Sequence, residues 1–117
     1  MSGKTSYLAG LAAEDCVARH YVRQGQVVAA RRWRGTYGEI DMVVRDGDEL
    51  VFVEVKKSRD FLRAAERLTR AQLKRIYSTA SEFLCGEPRG QMTPSRFDVA
   101  LVNASGQIQI VENAIGF

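Results

Sequence analysis

The stretch GEIDMVVRDGDELVFVEVKK (residues 38–57) decides the fold. It contains two runs rich in β-branched and aromatic residues, 38–45 and 50–57, separated by Asp46-Gly47-Asp48-Glu49. β-Branched and aromatic residues favour strands, and Asp-Gly is a strong signal for a tight hairpin turn. The stretch therefore predicts two antiparallel strands that are neighbours in one sheet.

The length of the turn decides which side chains share a face of this hairpin. With a loop of two or four residues, the numbers of facing residues have an odd sum, and facing side chains lie on the same side of the sheet. A four-residue loop puts Asp41 directly opposite Glu54, whereas a three-residue loop would break the parity. One predicted face is apolar and carries Ile40, Met42, Val44, Val51, Val53 and Val55. The other carries Val43, Leu50 and Phe52 near the turn, and Glu39, Asp41, Glu54 and Lys56 away from it.

Three acids and a lysine are thus expected at one end of one face. Like charges directly opposite across two strands destabilise a sheet by up to ~1 kcal/mol. A hard divalent cation would relieve this repulsion, because carboxylate oxygens suit Mg²⁺ or Mn²⁺. The alternative is a solvated strand end with ordinary salt bridges. The pattern by itself leaves both interpretations open.

The rest of the chain predicts helices and strands on either side of the hairpin. Strands are predicted over 27–33, 96–102 and 107–112, and a first helix over 6–24. Thr69 and Gln72 form a candidate capping box for a second helix, whereas 58–68 is polar and predicts no element. The order is α-β-β-β-α-β-β, which favours one α/β domain over 1–117 with a mixed sheet and a helix packed on each side. The predicted buried faces are Ala9, Ala12, Ala13, Cys16, Val17, His20 and Tyr21 in the first helix, and Leu73, Ile76, Tyr77, Ala80, Phe83 and Leu84 in the second.

Composition excludes several classes of protein. The 117 residues suit one domain, and no apolar run approaches the ~20 residues of a membrane span. Residues 1–6 lack the apolar core of a signal peptide, so we expect a cytoplasmic protein. Cys16 and Cys85 have no second Cys or His at metal-ligand spacing, which argues against a zinc site, and we expect both in the core. The net charge of +3 is compatible with a polyanionic partner.

Two groups of basic residues could contact such a partner. Arg31, Arg32 and Arg34 surround Trp33, which could stack on a base or pack in the core. The second group falls at helical spacing and would form a basic stripe beside the third strand if that stretch were helical: Arg59, Arg63, Arg67, Arg70 and Lys74. The alternative is that both groups are solvent-facing.

The hairpin resembles a known nuclease signature. Asp41 followed by Glu54-Val55-Lys56 is similar to the Asp…Glu-x-Lys signature of the PD-(D/E)XK superfamily. Over nearly its whole length the chain resembles the YraN-type family of predicted endonucleases. It departs from that family at Lys57-Ser58-Arg59, where the family often has Thr-Arg. The matching segments are Ala13-Glu14, Arg32-Trp33-Arg34, Gly38-Glu39-Ile40-Asp41, residues 51–56 and Arg96-Phe97-Asp98-Val99.

The resemblance implies a restriction-endonuclease-like fold and a Mg²⁺- or Mn²⁺-dependent endonuclease. Its substrate would be nucleic acid, with DNA favoured, in branched or single-stranded form. By the same resemblance, Asp41, Glu54 and the main-chain carbonyl of Val55 would hold the metal, and Lys56 would act on the water and the phosphate. Glu14 and Glu39 are further candidate catalytic acids, and Arg34 with the basic stripe would bind nucleic acid. The alternative function is a non-catalytic nucleic-acid-binding module within a DNA-processing complex. We expect no membrane partner, and the oligomeric state, a homodimer included, stays open.

Overall fold

The computed structural model describes the backbone of residues 3–114 and the side chains of residues 10–114. The predicted order of elements is confirmed, with one short helix and one 3-10 turn added. None of the helices in the described backbone is long and apolar enough to cross a lipid bilayer. The elements are α1 (Gly3–Arg23), β1 (Val27–Arg34), β2 (Glu39–Asp46), β3 (Glu49–Lys57), α2 (Phe61–Glu66), α3 (Arg70–Leu84), a 3-10 turn (Gly90–Met92), β4 (Ser95–Val102) and β5 (Ile108–Val111).

The five strands form one mixed sheet in the order β1-β2-β3-β4-β5. Three neighbouring pairs are antiparallel, and only β3 and β4 run parallel. A parallel pair needs a crossover connection rather than a tight turn. Helices α2 and α3 supply that crossover and cover one face of the sheet. Helix α1 covers the other face, as the sequence predicted.

Two apolar cores lie on the two faces of the sheet. The strands β2 and β3 contribute to both, because alternate side chains of a strand point to opposite faces. The core under α1 contains Ala13, Val17, Tyr21, Met42, Val44, Val51, Val53, Ala100 and Val102. The core under α2 and α3 contains Ile40, Val43, Leu50, Phe52, Ala64, Ile76, Ala80, Leu84, Phe97, Val99 and Leu101.

The register of the β2–β3 hairpin confirms the predicted parity. Asp46 pairs with Glu49 and Met42 pairs with Val53, so each facing pair has an odd sum. The loop has two residues, Gly47-Asp48, and Gly47 has a φ of +60°. Such a left-handed φ is what the tight turns of two-residue hairpins require, and glycine adopts it without strain.

Ile40 is the exception to the predicted faces. It packs with Val43 in the core under α3, whereas strict alternation had put it with Met42 and Val44 under α1. On the neighbouring strand β1, Arg32 lies between the partners of Met42 and Ile40 and has a left-handed φ of +51°. The pairing of β2 with β3 ends at Met42, so β3 no longer imposes strict alternation on Ile40.

The predicted helix faces were wrong at three positions. Tyr77 was predicted to be buried but is 51% exposed, and Thr79, which was not predicted, is buried in α3 instead. Ala12 is exposed, because the buried line of α1 runs through Ala13 and Val17. Cys85 is exposed at the C-terminal cap of α3, since the helix ends at Leu84.

Candidate active site

Asp41 lies where the pairing of β2 with β3 stops. Its Oδ2 accepts a hydrogen bond from the main-chain nitrogen of Val55 at 2.8 Å. The last pair of the β2–β3 ladder is Met42 with Val53. The carboxylate of Asp41 therefore serves as acceptor for a β3 N–H group beyond the end of that ladder. This bond fixes Asp41 beside Glu54, as the hairpin register predicted.

Glu54 points to the face covered by α3 and is almost fully buried. Only 6% of the residue is exposed. Its Oε1 lies 3.4 Å from Nζ of Lys56. Its Oε2 is buried and has no hydrogen-bond partner among the described residues. Burying a carboxylate oxygen without a partner is costly, so this atom points to a missing ligand or a proton.

Both carboxyl groups are costly to ionise in this buried site. Burial and the nearby Asp41 carboxylate raise the pKa of Glu54 to about 8, and the Lys56 ammonium only partly opposes this rise. Burial also raises the pKa of Asp41, although the hydrogen bond from Val55 favours its charged form. Two buried carboxylates side by side resist simultaneous ionisation unless a positive charge comes between them. The pair is therefore electrostatically suited to a cation.

Lys56 is held between an acid and an amide. Besides its contact with Glu54, it reaches Gln72 in the first turn of α3. With the Gln72 amide oriented to suit both neighbours, its oxygen accepts from Nζ of Lys56 at 2.6 Å, and its nitrogen donates to the main-chain oxygen of Arg67 at 3.2 Å. The side chain of Thr69 caps α3 by accepting from the main-chain nitrogen of Gln72. The predicted cap by Thr69 is confirmed, while the Gln72 side chain faces Lys56.

Glu14 is buried against the sheet and already has a partner. It is 4% exposed. Its two carboxylate oxygens accept from Nε and an Nη of Arg32 at 3.2 and 2.7 Å. Its negative charge contributes to the raised pKa of Asp41, although more weakly than burial does. Glu14 therefore acts on the acidic pair electrostatically, while its oxygens are engaged by Arg32.

Glu39 lies on the cleft that opens above Glu54. This cleft has a volume of about 240 Å³. Glu39 is half-buried, and its carboxylate lies 3.3 Å from the exposed guanidinium of Arg34. Arg75 of α3 lines the same cleft, which the sequence analysis did not predict. Arg75 follows Gln72 by three residues, so helical spacing from that residue could have identified it. The full lining is Tyr37, Gly38, Glu39, Glu54, Gln72, Arg75 and Ile76.

A comparison with family models matches residues 13–102 to the uncharacterised protein family UPF0102. The chain belongs to this family. UPF0102 protein Rsph17029_0461 of Cereibacter sphaeroides is 62% identical over 97% of both chains. UPF0102 protein SPO0400 of Ruegeria pomeroyi is 59% identical over 97% of this chain and 93% of the relative. A UPF0102 protein of Dinoroseobacter shibae is 49% identical over 95% of this chain and 83% of the relative. These names assign no reaction to the relatives.

The basic stripe is split between two helices. Helix α2 ends at Glu66 and α3 begins at Arg70, so the stripe is not one continuous helical face. Arg67 donates to the main-chain oxygen of Lys57 at 2.8 Å, and Arg63 lies 3.6 Å from Asp60. All five predicted members are nevertheless exposed: Arg59, Arg63, Arg67, Arg70 and Lys74.

The arginines around Trp33 serve mainly within the fold. Arg31 pairs with Asp15 of α1 at 2.8 Å, and Arg32 pairs with Glu14. Trp33 itself is half-buried and packs edge-to-face on Phe83, with ring centroids 5.2 Å apart. Trp33 therefore packs against the core, which was the alternative to stacking on a base. Of this group only the side chain of Arg34, 81% exposed, extends into solvent near the cleft.

Proposed function

We propose that this protein is a metal-dependent phosphodiesterase that cleaves nucleic acid, with DNA as the favoured substrate. The observation that carries the proposal is the pair of acids Asp41 and Glu54 beside Lys56, in which the buried Glu54 lines an open cleft. A purely structural salt bridge would leave neither an orphaned carboxylate oxygen nor a second acid beside it. The resemblance to Asp…Glu-x-Lys nucleases is independent support, because it rests on the sequence pattern.

The donor set fits a hard divalent cation. Asp41 and Glu54 would hold Mg²⁺ or Mn²⁺ through carboxylate oxygens, together with the main-chain carbonyl of Val55. Within residues 10–114, no three acidic, His or Cys side chains are arranged as a metal cage. Mg²⁺ does not need one, since it usually keeps several waters and binds one or two carboxylates plus substrate phosphate. When bound, such an ion acidifies water and offsets the charge that develops on a phosphodiester.

Lys56 would act on the substrate rather than on the metal. Its ammonium group donates hydrogen bonds and cannot accept them, so it suits a phosphate oxygen or the attacking water. Its Nζ lies between Glu54 and Gln72, and both of these residues line the cleft. A positioned ammonium can stabilise negative charge in the transition state without first reorganising.

The charges around the cleft suit a polyanion. Arg75 lines the cleft, and Arg70 and Lys74 are exposed on the same N-terminal half of α3. Phosphate contacts by arginine and lysine supply most of the sequence-independent affinity for nucleic acid. We infer that the backbone of the substrate runs along the start of α3 toward Glu54.

A cleavage screen tests the proposal. Linear duplex, flapped, four-way and single-stranded DNA, and matching RNA, would each be incubated with Mg²⁺ or Mn²⁺. We expect cleavage of at least one substrate, its loss on adding EDTA, and its loss in Glu54→Gln. Exposed Glu66 provides the matched control, since Glu66→Gln makes the same chemical change on α2 and should cleave normally.

The outcomes separate the two candidate functions. Metal-dependent cleavage that survives in Glu54→Gln would come from a contaminant or another site and would contradict the proposal. Tight binding of nucleic acid with no cleavage under any metal would favour the non-catalytic binding module instead.

A further inference from the structure

A second cleft continues from the candidate active site across the outer side of α3. It has a volume of about 310 Å³ and shares one residue, Tyr37, with the cleft above Glu54. Tyr77, Ser78 and Ser81 of α3 form one side, and Gln91 of the 3-10 turn closes another. Tyr37 is therefore the boundary between the acidic site and this outer cleft.

Two aromatic side chains line the outer cleft and are exposed. Tyr37 is 59% exposed and Tyr77 is 51% exposed. Scattered exposed apolar residues are common, but two aromatic rings on one cleft that joins a candidate active site are a more specific arrangement. Helical spacing had predicted Tyr77 for the buried face of α3, and Thr79 is buried instead. Tyr77 therefore lines the outer cleft instead of packing in the core.

The turn that carries Tyr37 is fixed in place. Oε1 of Glu82 accepts hydrogen bonds from the main-chain nitrogens of Thr36 and Tyr37 at 2.8 and 3.3 Å. A Cβ atom at Gly35 would lie only 2.9 Å from the same Oε1 and 3.0 Å from the Trp33 ring, so the turn packs closely on both side chains. A rigid turn presents an aromatic ring at a low entropic cost to binding.

The two clefts differ in charge. The cleft above Glu54 contains the cationic residue Arg75, which suits a phosphate. The outer cleft is lined by aromatic, hydroxyl, amide and thiol groups and contains no lysine or arginine. Its one acid, Glu82, is engaged by the turn. The outer cleft therefore suits an uncharged planar group better than a phosphate.

We propose that Tyr37 and Tyr77 stack on unpaired bases of the strand whose phosphate lies in the cleft above Glu54. This inference rests on the proposed function and names its substrate class: nucleic acid that is single-stranded next to the cleaved bond. Bases inside a duplex already stack on each other and cannot enter the outer cleft. Stacking of one base on an aromatic side chain contributes ~1–3 kcal/mol and tolerates any base.

Fluorescence anisotropy with labelled oligonucleotides tests the inference. The probes are a short oligo(dT) strand and a blunt duplex of the same length, both in EDTA so that neither is cut. We expect Tyr77→Ala and Tyr37→Ala each to weaken binding of oligo(dT) by ~5- to 150-fold, as the loss of one stacked base predicts. Tyr77→Phe keeps the ring and should bind oligo(dT) as the wild type does. Val22→Ala removes an exposed side chain of α1, 57% exposed, and is the matched surface control.

The outcomes are distinct from those of the cleavage screen. A selective loss of oligo(dT) binding in both alanine variants, with folding checked by circular dichroism, supports the inference. Unchanged oligo(dT) affinity would overturn it even if the wild type cleaves DNA. An equal loss for single strand and duplex would also overturn it, because base stacking affects only the single strand. If the wild type binds neither probe, the inference fails, while the cleavage screen separately decides the proposed function.

Discussion

Neutralising Glu54 should stabilise the metal-free protein at neutral and alkaline pH. Glu54 is 6% exposed and lies beside Asp41, so ionising it in the folded state is costly. Burial and the Asp41 charge raise the pKa of its carboxyl group from 4.5 to about 8. The substitution Glu54→Gln keeps the shape of the side chain and removes the charge.

The sign and size of the effect follow from this pKa. The folded protein holds the Glu54 proton more tightly than the unfolded chain does, so folding is favoured at low pH. This stability is fully present below about pH 4.5 and is lost as the pH rises toward 8. At about 1.4 kcal/mol per pH unit, the rise of the pKa from 4.5 to about 8 makes this loss on the order of 5 kcal/mol. For a domain of this size, it corresponds to a fall in Tm of roughly 10–20 °C.

Thermal and urea denaturation in EDTA between pH 5 and 8 would measure the effect. The wild type should lose stability across this range, while Glu54→Gln should show a much flatter profile and unfold at a higher temperature at pH 8. The control Glu66→Gln, on an exposed side chain of α2, should keep the wild-type slope. At pH 8, Mg²⁺ should raise the Tm of the wild type and leave that of Glu54→Gln unchanged. A wild-type profile that is flat or rises with pH would refute the reasoning.

Three further predictions concern other parts of the site. Lys56→Ala should retain metal binding by calorimetry while its cleavage rate falls by a factor on the order of 10²–10⁴; a fully active variant would remove the assigned role. Replacing Arg70 and Lys74 together should lower the salt slope of DNA binding by ~2, at ~0.9 per phosphate contact, and an unchanged slope would put the DNA surface elsewhere. Glu14→Ala should lower the free energy of unfolding by about 1–3 kcal/mol, because it removes the buried acceptor of two hydrogen bonds from a part-exposed arginine. If Glu14 serves only the fold, Glu14→Gln should keep the metal affinity of the wild type, and weakened metal binding would count against that role.

The hairpin could be predicted from the sequence because two independent signals, the apolar alternation and the turn residues, agree. Apolar alternation and the Asp-Gly turn independently give the same parity, and Asp46 indeed pairs with Glu49. This parity was enough to bring Asp41, Glu54 and Lys56 together. The polar stretch after β3 was harder, since six residues are too few for a clear helical pattern. One signal was present there: Asp60 caps α2 by accepting from the main-chain nitrogen of Arg63 at 2.9 Å.

The positions that could not be predicted depend on tertiary contacts. The left-handed φ of Arg32 has no sequence signal, yet it accompanies the change of face at Ile40. The burial of Glu14 is accompanied by two hydrogen bonds from the Arg32 guanidinium on β1, 18 residues further along the chain. Tyr77 fits the apolar period of α3, but the helix is rotated so that Thr79 faces the sheet instead. In each case the deciding partner is distant in sequence.

The candidate site lies where regular strand pairing ends, and this location has a physical reason. Within a complete ladder, every main-chain donor of β3 is satisfied by the neighbouring strand, and side chains point only up or down. Beyond the Met42–Val53 pair, the N–H of Val55 needs another acceptor, and Asp41 provides it. That bond holds the Asp41 carboxylate beside Glu54 despite their repulsion. The surrounding cores, packed on both faces of the sheet, offset the local cost. A fold can therefore maintain an unfavourable acidic pair at a strand end, where a cation and a phosphate can still reach it from the open cleft.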